Sequence, residues 1–169
     1  MGTAIRILGL DPGLGRMGWG VIDMDGTRLS HVAHGVFTSD AKSELAARLM
    51  DLHAAVCAVI EQHRPVAISV EQAFVAKDPA AALKLGHARA IALLAAAQAG
   101  LAIAEYAPNH IKKSVVGAGH ADKAQVMLMV RRLLPTARVE AADAADALAA
   151  AIAHAHLSGT RSRIMAALA

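Results

Sequence analysis

The sequence contains little cysteine, few aromatic residues and no long apolar run, and each shortage excludes a class of protein. Its single cysteine, Cys57, cannot form an internal disulfide, which argues against a small secreted domain held together by disulfide bonds. Cys57 falls at an apolar position of a helical pattern, so we interpret it as a core residue. Aromatic residues make up only 2% of the chain although apolar residues make up 56%. Much of that apolar fraction is alanine, which predicts many helices packed through small contacts.

No uncharged apolar run has the length of a membrane-spanning helix. The longest uncharged apolar run lies between Arg89 and Glu105, and Gln98 and Gly100 interrupt it. Because this run is shorter than the roughly 20 residues that a spanning helix needs, we interpret it as a buried core helix. The first residues also lack the charged and apolar regions of a secretory signal. We therefore expect a soluble cytoplasmic protein with no membrane partner.

The charge is distributed unevenly along the chain, whose formal net charge is +3. Residues 1–75 contain six Lys and Arg against eight Asp and Glu, whereas residues 76–169 contain eleven against six. A basic region of this kind can attract phosphates. An ordinary solvated helix surface would give the same count, so charge alone leaves both interpretations open.

Hydrophobic periodicity and turn residues predict one domain over residues 1–169. Strands are predicted at residues 5–11, 18–23, 28–38, 66–71 and 101–106, with a hairpin turn at Asp25-Gly26. Helices are predicted at residues 42–63, 79–100, about 109–116, 121–134 and 142–156, followed by a short tail over about 158–169. This order predicts an α/β fold with a mixed five-stranded sheet and helices on both faces, as in the ribonuclease H-like fold.

Four acidic residues fall at positions that catalysis could use. Asp11 closes the first strand and Glu71 closes the fourth, and open α/β sheets form their sites at such strand ends. Asp143 and Asp146 are three residues apart on an alanine-rich helix, so both side chains leave the same face. Neighbouring like charges raise each other's pKa unless a cation lies between them. The four acids therefore favour a site for divalent metal ions.

Phosphodiester hydrolysis would use such a site. Two Mg²⁺ ions about 3.5–4 Å apart can activate the attacking water and stabilise the leaving oxygen. Taken singly, each acid has an ordinary alternative: Asp11 could cap the Pro-Gly turn, and Asp143 could be a helix N-terminal acid favoured by the helix dipole. The occurrence of all four at mutually compatible positions favours the catalytic interpretation.

Five segments, in order and at compatible spacing over about residues 4–157, resemble the motifs of the RuvC family of Holliday junction resolvases. They are LGLDPG at 8–13, VEQAFVAK at 70–77, ALKLGHAR at 82–89, VVGAGHADKAQV at 115–126 and ADAADAL at 142–148. Each motif alone is a weak signal, but five in register are specific. The resemblance implies a structure-selective endodeoxyribonuclease with a ribonuclease H-like fold.

The resemblance also implies roles for individual residues in the reaction. The metal-binding and catalytic carboxylates would be Asp11, Glu71, Asp143 and Asp146, holding two Mg²⁺ ions per subunit, with Mn²⁺ as a possible substitute. Lys112 and Lys123 resemble lysines that support catalysis, since an ammonium group would stabilise charge that develops on the phosphate. A solvated cation at a helix end is the alternative for each lysine.

For DNA binding, the resemblance points first to Phe74, in the loop that follows the strand of Glu71. In the family this aromatic residue stacks on bases of the opened junction, and such stacking contributes about 1–3 kcal/mol. A lone Phe is more often a core residue. Weaker candidates for contacts to the DNA backbone are Lys77, Lys84, Arg89 and Lys113. Some relatives have a longer basic tail where this chain has only Arg161 and Arg163. The resemblance therefore does not imply strong DNA binding by the C-terminal residues.

At the level of the whole protein, the resemblance implies a homodimer that binds a four-way DNA junction, because a twofold protein suits a twofold substrate. Paired nicks in opposite strands would leave ligatable 5′-phosphate and 3′-hydroxyl ends, in homologous recombination and DNA repair. The helix at residues 79–100 is a candidate dimer face, although a core helix would have the same composition. The RuvA–RuvB branch-migration complex would be the family partner.

Other functions fit parts of the sequence. An actin-like or sugar-kinase-type ATPase also has an Asp and a glycine-rich turn after its first strand, but it needs a second phosphate loop in a longer chain. A non-catalytic nucleic-acid-binding domain would have no use for four acids that repel phosphate. The Gly13–Gly18 segment formally matches G-x-G-x-x-G, but a strand and not a helix is predicted next, so we expect no nucleotide cofactor. A ribonuclease H would share the carboxylates, whereas residues 83–89 and 117–125 favour RuvC.

Overall fold

Five strands form one mixed sheet in the computed structural model, which describes residues 4–75 and 77–168, with side chains only as far as Gly159. The strands are β1 (Ile5–Asp11), β2 (Arg16–Asp25), β3 (Arg28–Thr38), β4 (Ala67–Glu71) and β5 (Ala102–Tyr106). Their order across the sheet is β3-β2-β1-β4-β5. The first three strands form an antiparallel meander, and β4 and β5 continue the sheet in parallel to β1. The predicted mixed five-stranded sheet is confirmed.

Helices cover both faces of the sheet, as predicted. They are α1 (Leu45–His63), α2 (Pro79–Gln98), α3 (Pro108–Val116), α4 (Lys123–Leu133) and α5 (Ala142–Leu168). Successive residues of β1 point to opposite faces, and Ile7 and Leu8 accordingly belong to different cores. Ile7 packs in the cluster formed by α3, α4 and α5, and Leu8 packs in the cluster formed by α1 and α2.

Hydrogen-bonding side chains explain where two of the helices begin. The carboxylate of Asp40 accepts a hydrogen bond from the backbone amide of Lys42, and this turn delays α1 to Leu45 instead of residue 42. Asp122 and Gln125 form a reciprocal capping box, which starts α4 at Lys123, two residues later than predicted.

The last helix is longer than predicted. The backbone of α5 continues to Leu168, where the sequence predicted a helix end near His156 and a short tail from about residue 158. The side chains of Arg161 and Arg163, which the resemblance placed in that tail, lie outside the described residues.

Helix α2 is long and apolar enough to cross a membrane by length and composition alone, a test that core helices also pass. It packs on the α1–α2 cluster through one face of alanines, Ala88, Ala92, Ala95 and Ala96. Its other face is open, because Leu83 and Leu94 are exposed. The prediction of a buried core helix is therefore right for one face of α2 and wrong for the other. Cys57 packs half-buried against the same cluster.

Candidate active site

Two of the predicted acids lie next to each other where β1 and β4 end. The parallel register pairs Leu10 with Val70, so the residues that follow, Asp11 and Glu71, lie side by side. Each is the last residue of its strand and is only partly buried. The predicted juxtaposition of the two carboxyl groups at one edge of the sheet is thus present in the structure.

A row of small residues lets α5 lie directly on the sheet. Gly9 of β1 pairs with Gly20 on one side and with Ser69 on the other. A β-carbon on Gly9 would lie 2.0 Å from the carbonyl oxygen of Ala147, which leaves no room for any side chain. The buried Ser69 hydroxyl donates a 2.7 Å hydrogen bond to the carbonyl oxygen of Ala150, which fixes the helix on β4. This close approach brings the first turns of α5 to the end of β1.

The approach of α5 creates a small acidic cleft of about 250 Å³ with basic residues at its side. Its lining residues are Asp11, Glu71, Pro108, Lys112, Lys123, Val126 and Asp146. Three of the four predicted carboxylates and both predicted catalytic lysines therefore meet in one place. The Lys123 ammonium lies 3.7 Å from a carboxylate oxygen of Asp146.

Burial raises the pKa values of the three carboxyl groups that line the cleft. Burial is the main cause of the raised pKa of Asp11, and its hydrogen bond with Glu71 and the charges of nearby acids raise it further. Burial also raises the pKa of Glu71, against the opposing effects of the Asp11 hydrogen bond and the two lysines. The pKa of Asp146 is raised by burial, with Lys123 opposing. A site with this excess of buried acid is one that a cation would stabilise.

Asp143 lies beside the cleft and not in its lining. Its carboxylate accepts a 2.7 Å hydrogen bond from Nε of Arg16, the first residue of β2. Its negative charge still reaches the cleft, where it contributes to the raised pKa of Asp11 and of Asp146. The predicted shared face of Asp143 and Asp146 holds, but the two carboxylates have different partners.

The donor set fits a hard divalent cation, since every acidic group offers only oxygen ligands, which Mg²⁺ prefers. Within residues 4–75 and 77–159, no three acidic, histidine or cysteine side chains stand close enough to hold an ion as they are. Two contacts account for this arrangement: Asp11 shares a hydrogen bond with Glu71, and Asp143 is paired with Arg16. Asp11, Glu71 and Asp146 line one cleft and offer suitable oxygen ligands, but their side chains would have to move closer together to hold a cation, and Asp143 would also have to leave Arg16.

The predicted DNA-contacting residues differ in exposure and in whether their side chains already have partners. Phe74 is 84% exposed in the loop after β4, so it is not the core residue that a lone Phe more often is. Lys77, Lys84 and Lys113 are exposed as well. Arg89 is engaged, because its Nε lies 2.5 Å from a carboxylate oxygen of Glu105 and ties α2 to β5.

Sequence reasoning missed Arg16 and the glycines under α5. In the sequence, Arg16 is one of the variable positions of a glycine-rich motif. It lies two and four residues before Gly18 and Gly20 on β2, so its side chain is on the same face of the strand. The glycines could have been recognised because an alanine-rich helix can pack closely on a strand only if the facing strand residues are also small. Neither feature belongs to a catalytic residue type, so a search for chemistry passes over them.

Comparison with known proteins agrees with the geometry. The family described as "Crossover junction endodeoxyribonuclease RuvC" matches residues 7–154. Proteins of that name from Parvibaculum lavamentivorans and Bartonella henselae are 60% and 54% identical, over 99% and 98% of this chain and 96% and 100% of theirs.

Among solved structures, Thermus thermophilus RuvC in complex with a Holliday junction substrate matches with a TM-score of 0.88 at 32% identity. The match covers 94% of this chain and 97% of that one. The yeast mitochondrial Holliday junction resolvase Ydc2 matches with a TM-score of 0.63 over 95% of this chain and 84% of that chain. At 12% identity it supports the fold alone. These matches confirm the ribonuclease H-like fold and decide between the nuclease and ATPase alternatives, so that the chain belongs to the RuvC family of crossover junction endodeoxyribonucleases.

Proposed function

We propose that this chain resolves Holliday junctions by metal-dependent hydrolysis of phosphodiester bonds, making paired symmetric nicks during recombination and DNA repair in the cytoplasm. The observation that carries the proposal is the cleft in which Asp11, Glu71 and Asp146 meet Lys112 and Lys123. The similarity to Thermus thermophilus RuvC, which was solved with a Holliday junction substrate, supports the choice of substrate.

The carboxylates would hold Mg²⁺, two ions per subunit, with Mn²⁺ as a substitute. Asp11, Glu71 and Asp146 would bind directly, and Asp143 would join them from the side of the cleft. When bound, the ions would supply charge neutralisation at the scissile phosphate and activation of water. Partial burial lowers the local dielectric around the carboxyl groups, which would strengthen the attraction between their ionised forms and a cation.

The two lysines would act on the phosphate from the opposite side of the cleft. Lys112 is half-buried on α3, and Lys123 opens α4, so two separate helices supply the cations. An ammonium group in this position stabilises negative charge as it develops on the phosphate oxygens. Because Lys123 also lies 3.7 Å from Asp146, it would hold that carboxylate in place.

The loop after β4 would engage the bases of the junction. Phe74 is three residues beyond Glu71, and its ring is exposed with little protein contact to stabilise it. Stacking on an unpaired base would bury that ring. Lys77, Lys84 and Lys113 would neutralise backbone phosphates. Arg89 would contribute to DNA binding only if it left Glu105, to which it is bound in the structure.

A homodimer would form through the open face of α2. Apolar or small residues recur on that face at spacings of three and four, namely Leu83, Gly86, Ala90, Leu94 and Ala97, and all are exposed. Small side chains allow two helices to approach closely, and the neighbouring edge strand β5 adds the exposed Ile103. A second copy would cover this surface and supply the second active site. The RuvA–RuvB branch-migration complex is the proposed partner on the basis of family membership.

Cleavage of a labelled four-way junction tests the proposed function. Purified protein is incubated with the junction or with its linear duplex, in Mg²⁺, Mn²⁺ or EDTA, alongside Asp146→Asn. The matched control is Asp51→Asn, which changes an exposed acid on α1. Nicking that requires metal, spares the duplex, survives in the control and disappears with Asp146→Asn supports the proposal. Junction binding without cleavage in any metal contradicts the enzymatic function.

A further inference from the structure

Arg16 forms a short hydrogen-bonded ion pair with Asp143, one of the predicted metal ligands. Its Nε donates to Oδ2 of Asp143 at 2.7 Å, across 127 positions of sequence. Lys123 is farther from Asp146, at 3.7 Å. The Arg16 side chain is exposed, so the rest of its guanidinium group faces solvent at the mouth of the site.

The strand alternation of β2 directs Arg16 towards α5. Gly18 and Gly20 face α5, because β-carbons on them would collide with Asp143 and Leu148. Arg16 stands two residues before Gly18 and therefore projects on the same side. Its backbone is fixed by pairing with Thr38 of β3. The sheet thus holds a cation over the first turn of α5.

The ion pair with Arg16 separates Asp143 from the other three predicted metal ligands. The pair with Arg16 holds Asp143 outside the lining of the cleft, where the other three acids lie. To join the other three acids around one cation, Asp143 must leave this position and so lengthen or break its bond to Arg16. We propose that Arg16 is a positioning residue that holds Asp143 beside the cleft until a divalent ion takes its carboxylate, and that then binds a phosphate of the DNA.

In the proposed exchange, Asp143 leaves Arg16 for a metal ion, and Arg16 then binds phosphate. Both steps follow from the positions and charges of the carboxylate and the guanidinium group. Asp143 must move into the cleft to bind an ion together with the other three acids, and its 2.7 Å bond to Arg16 and the positive charge of the guanidinium group both oppose that movement. The displaced guanidinium group stays charged and presents a planar fork of donors suited to phosphate oxygens. Arg16 would therefore weaken metal binding when no DNA is present. Once a metal ion has taken Asp143, Arg16 would strengthen DNA binding. This inference rests on the proposed function, because it needs a metal site at these carboxylates.

Metal titration without DNA tests the first half of the exchange. Binding of Mn²⁺ is measured by calorimetry for the wild type, Arg16→Gln and Arg28→Gln. The last variant removes the same charge at the far end of the β2–β3 hairpin, where Asp25 is the paired residue. Loss of the competing cation at position 16 should tighten Mn²⁺ binding by about three- to tenfold. Unchanged or weaker binding by Arg16→Gln overturns the inference.

Junction binding in Ca²⁺ at several salt concentrations tests the second half. Arg16→Gln should reduce the slope of log affinity against log salt by about one, because one phosphate contact is lost. Arg16→Lys should restore that slope, since it retains the charge, and thermal denaturation checks that each variant is folded. An unchanged slope in Arg16→Gln overturns the phosphate contact. If the wild type itself binds no Mn²⁺, the proposed metal site fails and the inference fails with it.

Discussion

The carbonyl oxygen of Asp143 lies 1.9 Å from where a β-carbon on Gly18 would be. Gly18 is also the residue that pairs with Asp11 across β1 and β2. One glycine thus sets the distance between the catalytic end of β1 and the first turn of α5. The proposed metal site would depend on this packing as much as on its acids.

Gly18→Ala should therefore disable the site. Forcing a methyl group into this contact should cost about 1–3 kcal/mol of stability, because the backbone of α5 must move. A shift of about 1 Å in Asp143 and Asp146 should lower the cleavage rate by about a hundredfold. Denaturant unfolding and junction cleavage measure the two effects. Gly15→Ala is the control, since nothing lies within 4 Å of the added carbon. Equal activity in both variants would contradict the argument.

Phe74→Ala should weaken DNA binding and leave the fold intact. The ring is exposed, so its loss removes almost no packing from the free protein. Loss of a stacked base should weaken junction binding by about 1–3 kcal/mol. Fluorescence anisotropy in Ca²⁺ measures the affinity, and thermal denaturation measures stability. Leu128→Ala removes another exposed apolar side chain, on α4, and should have no effect. If Phe74→Ala binds the junction with wild-type affinity, the ring does not contribute to binding and the prediction is wrong.

Leu94→Glu should produce monomers. The substitution puts a charge in the middle of the exposed face of α2, where burial against a second copy would be costly. Sedimentation equilibrium should show a dimer for the wild type and a monomer for the variant. Leu128→Glu makes the same change on α4 and should remain dimeric. A dimer that survives Leu94→Glu would place the interface elsewhere.

The pair of Arg6 and Asp23 should make stability depend on pH. Two hydrogen bonds of 2.8 and 2.9 Å join them, and the hydrogen bond from Arg6 lowers the pKa of Asp23. The stabilisation is present above the unfolded-state pKa of about 4 and is lost as the pH falls through the lower folded-state pKa.

Asp23→Asn should therefore lower the free energy of unfolding at pH 7, by about 1 kcal/mol or less because the pair is partly exposed. The difference from wild type should shrink at pH 3. Urea unfolding at both values measures it, with Asp51→Asn as the control. A difference that is the same at pH 3 and pH 7 would contradict the assignment.

The sequence predicted the strands, the helices and the types of residue in the site. It did not predict which side chains pair with one another. Asp11 and Glu71 could be placed together because parallel strands carry their ends to one edge of the sheet. The pairing of Asp143 with Arg16 could not, because it depends on how closely α5 docks on β2. Likewise, the resemblance made Arg89 a candidate for contact with the DNA backbone but could not reveal Glu105 as its partner, since that requires the position of α2 on β5.

The length of α5 shows a second limit. Its apolar pattern weakens after His156, and the sequence predicted a tail there, yet the backbone stays helical to Leu168. Alanine and leucine near that end favour helix even where no amphipathic face marks one. Periodicity detects helices by their buried stripe and so underestimates a helix that extends beyond the core.

Mapping the nicks on each strand of a four-way junction tests the central claim most directly. Each strand is labelled in turn, the junction is incubated with the protein and Mg²⁺, and the products are sized and treated with DNA ligase. The account predicts nicks at equivalent positions in two opposite strands, with ends that ligase rejoins, and none with Asp146→Asn. Nicks confined to one strand, ends that ligase cannot seal, or full cleavage by Asp146→Asn would contradict it.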